Sequence, residues 1–169
     1  PEVRDQIAAG EVVERPAHLV KELIENSLDA EATKIHVKVA GQARTLLVTD
    51  NGNGIRKQDL ELAIERFATS KIEITDDLWK LKSFGFRGEA LASAASISRL
   101  RLTSREKDAR ESFQIESAFG KTGPVVAASL SEGTEIFISD LFENVPARLK
   151  FLKSEAAENM AIRNVIKSF

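Results

Sequence analysis

The sequence predicts an α+β sandwich, a mixed β-sheet with helices on one face. Its 169 residues are 43% hydrophobic and 30% charged, a balance that fits one globular unit with an ordinary core. Helical apolar spacing and strict strand alternation take turns along the chain, and no internal repeat or low-complexity run interrupts them.

Helical periodicity opens at Ala17 to Ala30, where Leu19, Val20, Leu23, Ile24, Ser27 and Leu28 share one side and Glu22, Asn26 and Asp29 the other. Strand alternation follows at Ile35, Val37 and Val39, and again over Leu46 to Thr49. A second helix is expected from Lys57 to Phe67 through Leu60, Ala63, Ile64 and Phe67, and a third from Glu89 to Ser96. Leu100 and Leu102 mark another strand, and more strands are expected around Phe113 to Glu116, Val125 to Ala128 and Glu135 to Ser139. A last helical run begins at Glu155, and Ile162, Val165, Ile166 and Phe169 keep its spacing to the final residue. The expected domain covers residues 1–153, with 154–169 a helix leading toward a second domain.

Composition excludes several function classes. There is no Cys, so disulfides, thiol catalysis and thiolate metal sites are excluded, and His18 and His36 are the only imidazoles. Both are expected to be solvated, His36 on the outer face of its strand. No stretch approaches the roughly 20 apolar residues of a membrane span, and no signal-peptide pattern opens the chain. A formal net charge of -2 gives no global attraction to nucleic acid. Arg99, Arg101 and Arg105 alternate with Leu100 and Leu102, which makes either one basic edge or an ordinary solvated sheet face.

The chemistry concentrates in short segments. In Lys21-Glu22-Leu23-Ile24-Glu25-Asn26-Ser27-Leu28-Asp29-Ala30, a carboxylate sits one helical turn from an amide oxygen. An amide oxygen is a hard neutral ligand suited to Mg²⁺ when phosphates supply the rest, and a nearby carboxylate can polarise a water toward phosphorus. The same pattern also suits the wet face of an amphipathic helix. Asp50-Asn51-Gly52-Asn53-Gly54-Ile55 then leaves a strand end. An ionised Asp50 accepts hydrogen bonds from an exocyclic amine such as that of adenine, and Gly52 and Gly54 let backbone approach a base, although Asn-Gly is also a common plain turn. Further on stand Ala68-Thr69-Ser70-Lys71 and Phe84-Gly85-Phe86-Arg87-Gly88-Glu89-Ala90-Leu91. The second runs straight into a helix, whose first N–H groups form a ready phosphate cradle. The stretch from Ala68 to Phe86 is expected to be a mobile lid.

Taken in this order, with Gln6-Ile7-Ala8-Ala9-Gly10-Glu11-Val12-Val13-Glu14-Arg15-Pro16 ahead of them and Gly133-Thr134-Glu135-Ile136 and Asp140-Leu141-Phe142-Glu143-Asn144-Val145-Pro146-Ala147-Arg148-Leu149-Lys150-Phe151-Leu152 behind, the segments resemble the MutL family of DNA mismatch repair proteins, within the GHKL ATPases of Bergerat fold. The resemblance implies slow, Mg²⁺-dependent ATP hydrolysis and a nucleotide-gated switch that couples mismatch recognition to repair. Glu22 resembles the general base, Asn26 the Mg²⁺ ligand and Asp50 the adenine contact, with Ala30, Gly52, Gly54 and Ile55 around the base. Thr69, Ser70 and Lys71 resemble the first part of a nucleotide lid spanning about 68–88. Phe84, Gly85, Phe86, Arg87, Gly88, Glu89, Ala90 and Leu91 resemble its phosphate-wrapping end, and Thr134 the threonine that reaches back toward the adenine pocket.

For the full-length protein the resemblance implies a homo- or heterodimer, a MutS-like mismatch-recognition partner, a downstream nuclease or helicase, and DNA. It implies a cytoplasmic location in a bacterium or a nuclear one in a eukaryote. It also implies that this chain is a fragment lacking a short segment before Gln6 and a second, lysine-bearing domain. The chain departs from the family pattern at Glu31, where a small residue, often Gly, is usual. It departs again at Phe67, where bacterial members often have His, and at Glu143, where Tyr is common.

Overall fold

The computed structural model describes residues 13–65 and 88–169. Helix α1 (Pro16–Asp29) leads into the hairpin β1 (Ile35–Ala40) and β2 (Thr45–Asp50), then a 3-10 turn (Lys57–Asp59) and the short helix α2 (Leu60–Ile64). Helix α3 (Gly88–Ser96) precedes strands β3 (Arg99–Arg105), β4 (Ser112–Ala118), β5 (Lys121–Thr122), β6 (Val126–Ala128) and β7 (Gly133–Ser139), and helices α4 (Pro146–Lys150) and α5 (Glu155–Lys167) close the chain.

The strands form one sheet of order β1-β2-β7-β3-β4-β5, with β6 also on β4, and every described pairing is antiparallel. Register aligns the core residues into rows. Val48 lies opposite Ile136, Ile136 opposite Leu102, and Leu102 opposite Ile115, so one apolar row crosses four strands. Leu46, Ile138 and Leu100 form the next row. Because side chains alternate along a strand, those rows define a single buried face. Leu19, Val20, Leu23 and Ile24 of α1 and Ala90, Leu91, Ala94 and Ala95 of α3 cover it. The opposite face is open: His36 and Lys38 are exposed, and Arg101 lies over the Phe137 ring at 5.1 Å. Here the arginines expected to alternate on β3 are tied down, Arg99 to Asp140 at 3.2 Å and Arg101 to Glu135 at 3.6 Å.

One expectation changes. The helix foreseen over Lys57–Phe67 is a 3-10 turn followed by a single α-turn ending at Ile64, and Glu65 is already extended at φ -83, ψ 125. Leu60 and Ile64, four residues apart, are the pair it buries, and one turn suffices for that. Phe67 lies outside the described residues. His18 is half-exposed as foreseen, but it also faces Glu22, with Nε2 3.8 Å from Oε1 one turn along α1.

Helix α5 lies against α1, buries Ile162 and starts from Ser154, whose hydroxyl accepts the Ala157 N–H at 3.2 Å. No described helix is long and apolar enough to cross a membrane.

Candidate functional site

The site forms where the C-terminal half of α1, the end of β2 and the start of β7 converge on the buried side of the sheet. Helix α1 ends in a reverse turn in which the Glu31 N–H bonds to the Leu28 carbonyl and the Ala32 N–H to the Ser27 carbonyl, both at 3.0 Å. That paired closure needs a left-handed residue at Glu31, which has φ +62. Glycine, which carries no Cβ, would meet that need without strain. Glu31 fills the position with a Cβ and reaches the Asn53 amide at 3.3 Å.

Strand β2 delivers Asp50 into this corner with 7% exposure. The Ser27 hydroxyl donates to Asp50 Oδ2 at 2.7 Å, and the Gly52 N–H donates to Oδ1 at 2.8 Å. An ionised carboxylate has about four acceptor positions, so each oxygen keeps capacity for a ligand donor. Gly52 is required for space: a Cβ there would lie 2.8 Å from the Ala30 carbonyl oxygen and 3.1 Å from Asp50 Oδ1. The turn is held from several sides. The Asn53 N–H bonds to the Ala30 carbonyl at 2.8 Å, and the Asn53 carbonyl accepts the Lys107 N–H at 2.7 Å. Asn51 Oδ1 accepts from the N–H groups of Thr33 and Lys34 at 2.8 and 2.9 Å.

Across the sheet, Thr134 of β7 is in register with Asp50. Its Oγ1 lies 2.8 Å from Ser104 Oγ, which also accepts the Ile55 N–H at 2.7 Å. Asp50, Ser27, Thr134 and Ser104 thus form a buried polar corner under the glycine turn.

On α1, Glu22 and Asn26 sit one turn apart. The Glu22 side chain is 23% exposed, accessible to a water molecule. Asn26 Oδ1 is buried and has no hydrogen-bond partner among the described residues. An unpaired buried carbonyl oxygen is costly unless something external completes it, and a hard cation is such a group. Asn26 therefore fits the Mg²⁺ ligand expected of it.

The structure joins Ala30, Asp50, Gly52, Gly54, Ile55 and Thr134 around one corner, and Glu22 and Asn26 stand on the helix that ends there. Thr69, Ser70, Lys71, Phe84, Gly85, Phe86 and Arg87 lie outside the described residues. Gly88 opens α3, and Glu89 is exposed, whereas the side chains of Ala90 and Leu91 are in the core at 5% and 4% exposure. From those two, only main-chain N–H groups in the first turn of α3 can face a phosphate. Sequence reasoning missed Ser27 and Ser104 as site residues. Each had a signal: a hydroxyl at a position whose helical or strand parity otherwise calls for an apolar side chain. Gly133, noted only as part of a late motif, has φ +69, and a Cβ on it would come 2.0 Å from the Asp50 carbonyl oxygen.

Comparison with known proteins agrees with this geometry. Residues 14–138 match the model of the histidine kinase-, DNA gyrase B- and HSP90-like ATPases. The chain belongs to that ATPase family. Within the family its similarity lies with MutL. The chain is 55% identical over 155 residues to the DNA mismatch repair protein MutL of Neisseria meningitidis serogroup C, covering 91% of this chain and 24% of that protein. It is 52% identical over 164 residues to MutL of Coxiella burnetii strain Dugway, covering 96% of this chain and 29% of that one. It therefore spans about a quarter of the length of these curated relatives. The solved MutL ATPase domain of Aquifex aeolicus complexed with ADP is similar at a TM-score of 0.70 and 34% identity, over 92% of this chain and 55% of that one.

Proposed function

We propose that this chain is the nucleotide-binding and slow ATP-hydrolysing part of a MutL-like mismatch repair protein, in which ATP binding gates contacts with other repair factors. The observation that carries this reading is the pairing of an unsatisfied, buried Asn26 Oδ1 with Glu22 one turn away and a half-used Asp50 carboxylate at the adenine end. In this reading the adenine amine donates to Asp50, whose position is fixed by Ser27 and Gly52. Glu22 accepts a proton from the water that attacks the γ-phosphorus in line, the bond to the β–γ bridging oxygen breaks, and ADP and phosphate result. Asn26 would hold Mg²⁺, which offsets charge on the phosphate oxygens when bound. Thr69, Ser70 and Lys71 and the segment Phe84 to Gly88 would close over the phosphates, with Arg87 and the first N–H groups of α3 around them.

A second reading keeps binding and drops turnover as the output, so that the bound state alone rearranges the surface. In either case the full-length protein would act as a homo- or heterodimer, cytoplasmic in a bacterium or nuclear in a eukaryote, with a MutS-like mismatch-recognition partner, a downstream nuclease or helicase, and DNA. The testing experiment is calorimetric titration with magnesium and a non-hydrolysable ATP analogue, beside Asp50→Asn. Binding by the parent that the variant loses supports adenine at Asp50. Equal binding by both sinks that assignment, and no binding by the parent sinks competence of this chain alone.

A further inference from the structure

Glu158 is a carboxylate with 2% exposure on α5, and the mechanism does not use it. Among the described residues its partner is Arg15, 143 positions earlier, whose Nη1 donates to Glu158 Oε1 at 3.0 Å. Arg15 is the N-cap residue of α1, and its guanidinium, which only donates, cannot accept from the helix's first N–H groups. No acidic residue stands in the first turn of α1 either. The C-terminal end of α1, in contrast, is fixed by the Glu31 and Ala32 turn and by the Asn53 bond to Ala30.

Only the carboxylate of this pair is buried, the Arg15 side chain being 39% exposed, so desolvation of Glu158 and solvent screening of Arg15 offset the attraction and the pair contributes little net stability. What it does supply is direction. A leucine row tolerates sliding by a fraction of a turn, whereas a guanidinium–carboxylate contact holds at one axial position. We infer that Arg15–Glu158 is a latch that sets the axial position of α1 against α5. Because the far end of α1 is tied to Asp50 through Ser27 and to the glycine turn through Ala30, the latch sets how the helix runs back from that anchor, and with it Glu22 and Asn26, and so links occupancy of the nucleotide site to α5. Arg15 and Glu158 are positioning residues and touch no ligand. The inference rests on α1 being the nucleotide helix.

The test uses two variants of this chain, Arg15→Met with Glu158→Leu, which replaces the pair by an apolar contact, and Glu158→Gln, which keeps shape and removes the charge. Backbone amide resonances are compared without nucleotide, with Met160→Ala on the exposed side of α5 as control. In the latch variants the signals of Glu22 and Asn26 move while the midpoint of thermal unfolding stays near the parent's, and the control leaves them in place. Affinity for MgADP falls about five-fold, the low end of ordinary site-to-site coupling, and falls less for ADP in EDTA, since Asn26 is the displaced ligand. Unmoved Glu22 and Asn26 signals in both variants overturn the latch, and so does equal loss with and without Mg²⁺. If the parent binds no nucleotide, the functional reading fails, and the nucleotide-free signals still decide the latch.

Discussion

Replacing Glu31 with glycine should raise the thermal midpoint of this domain, although it deletes a side chain and a hydrogen bond. Glu31 sits at φ +62, where an L-residue with a Cβ carries about 1–2 kcal/mol of strain. Glycine removes that strain but enlarges the freedom of the unfolded chain, worth about 0.4–1 kcal/mol in the opposite sense. The bond lost to Asn53 is exposed and long at 3.3 Å, so it contributes at most about 0.5 kcal/mol. The balance is a stabilisation of roughly 0.5 kcal/mol, which for a domain of this size moves the midpoint by about 1–2 °C. Thermal unfolding followed by circular dichroism resolves that shift when Glu31→Ala is measured beside it. Alanine loses the hydrogen bond and keeps the strain, so its midpoint should fall at or below the parent's. A glycine variant no more stable than the alanine variant refutes the account of this turn. The paired closure at Leu28 and Ser27 would then be indifferent to the residue at its centre.

Further expectations concern the site itself. Gly133→Ala should cost about 3 kcal/mol or more, because the new Cβ meets main-chain Asp50 at 2.0 Å and that strand cannot move away; urea unfolding measures the loss, and a change under 1 kcal/mol contradicts the close approach. Ser104→Ala leaves the Ile55 N–H and the Thr134 hydroxyl without their shared partner and should destabilise by about 1–3 kcal/mol, with nucleotide affinity reduced as well. Glu22→Ala should lower the ATPase rate by about 10²–10⁴ while the affinity for the non-hydrolysable analogue stays within a few-fold, as single-turnover and binding measurements would show. A variant that hydrolyses at the parent rate assigns the base elsewhere. Should partner contacts persist in that variant, binding rather than turnover is the output.

Local chemistry made much of this molecule legible before any coordinates. The apolar stripe of α1, the alternation of β1, β2 and β3, and the Asp50-to-Gly54 turn are written in neighbouring residues, because helix and strand periods act over a few positions. The roles proposed for Glu22, Asn26 and Asp50 came from the family resemblance and not from these local periods. The tertiary structure decided what depends on chain segments far apart in number. Ser27 and Ser104 join the site only because α1 crosses the end of β2 and because register sets Thr134 beside Asp50, an alignment that a one-residue slip would destroy. Gly133 and Gly54 are needed because of main chain they approach, Asp50 and Arg105 respectively, and their own neighbours give no hint of it. Helix α2 stops at Ile64, where Glu65 turns extended. Arg15 and Glu158 stand 143 positions apart, and only the packing of the last helix on the first sets the partly exposed guanidinium against the buried carboxylate.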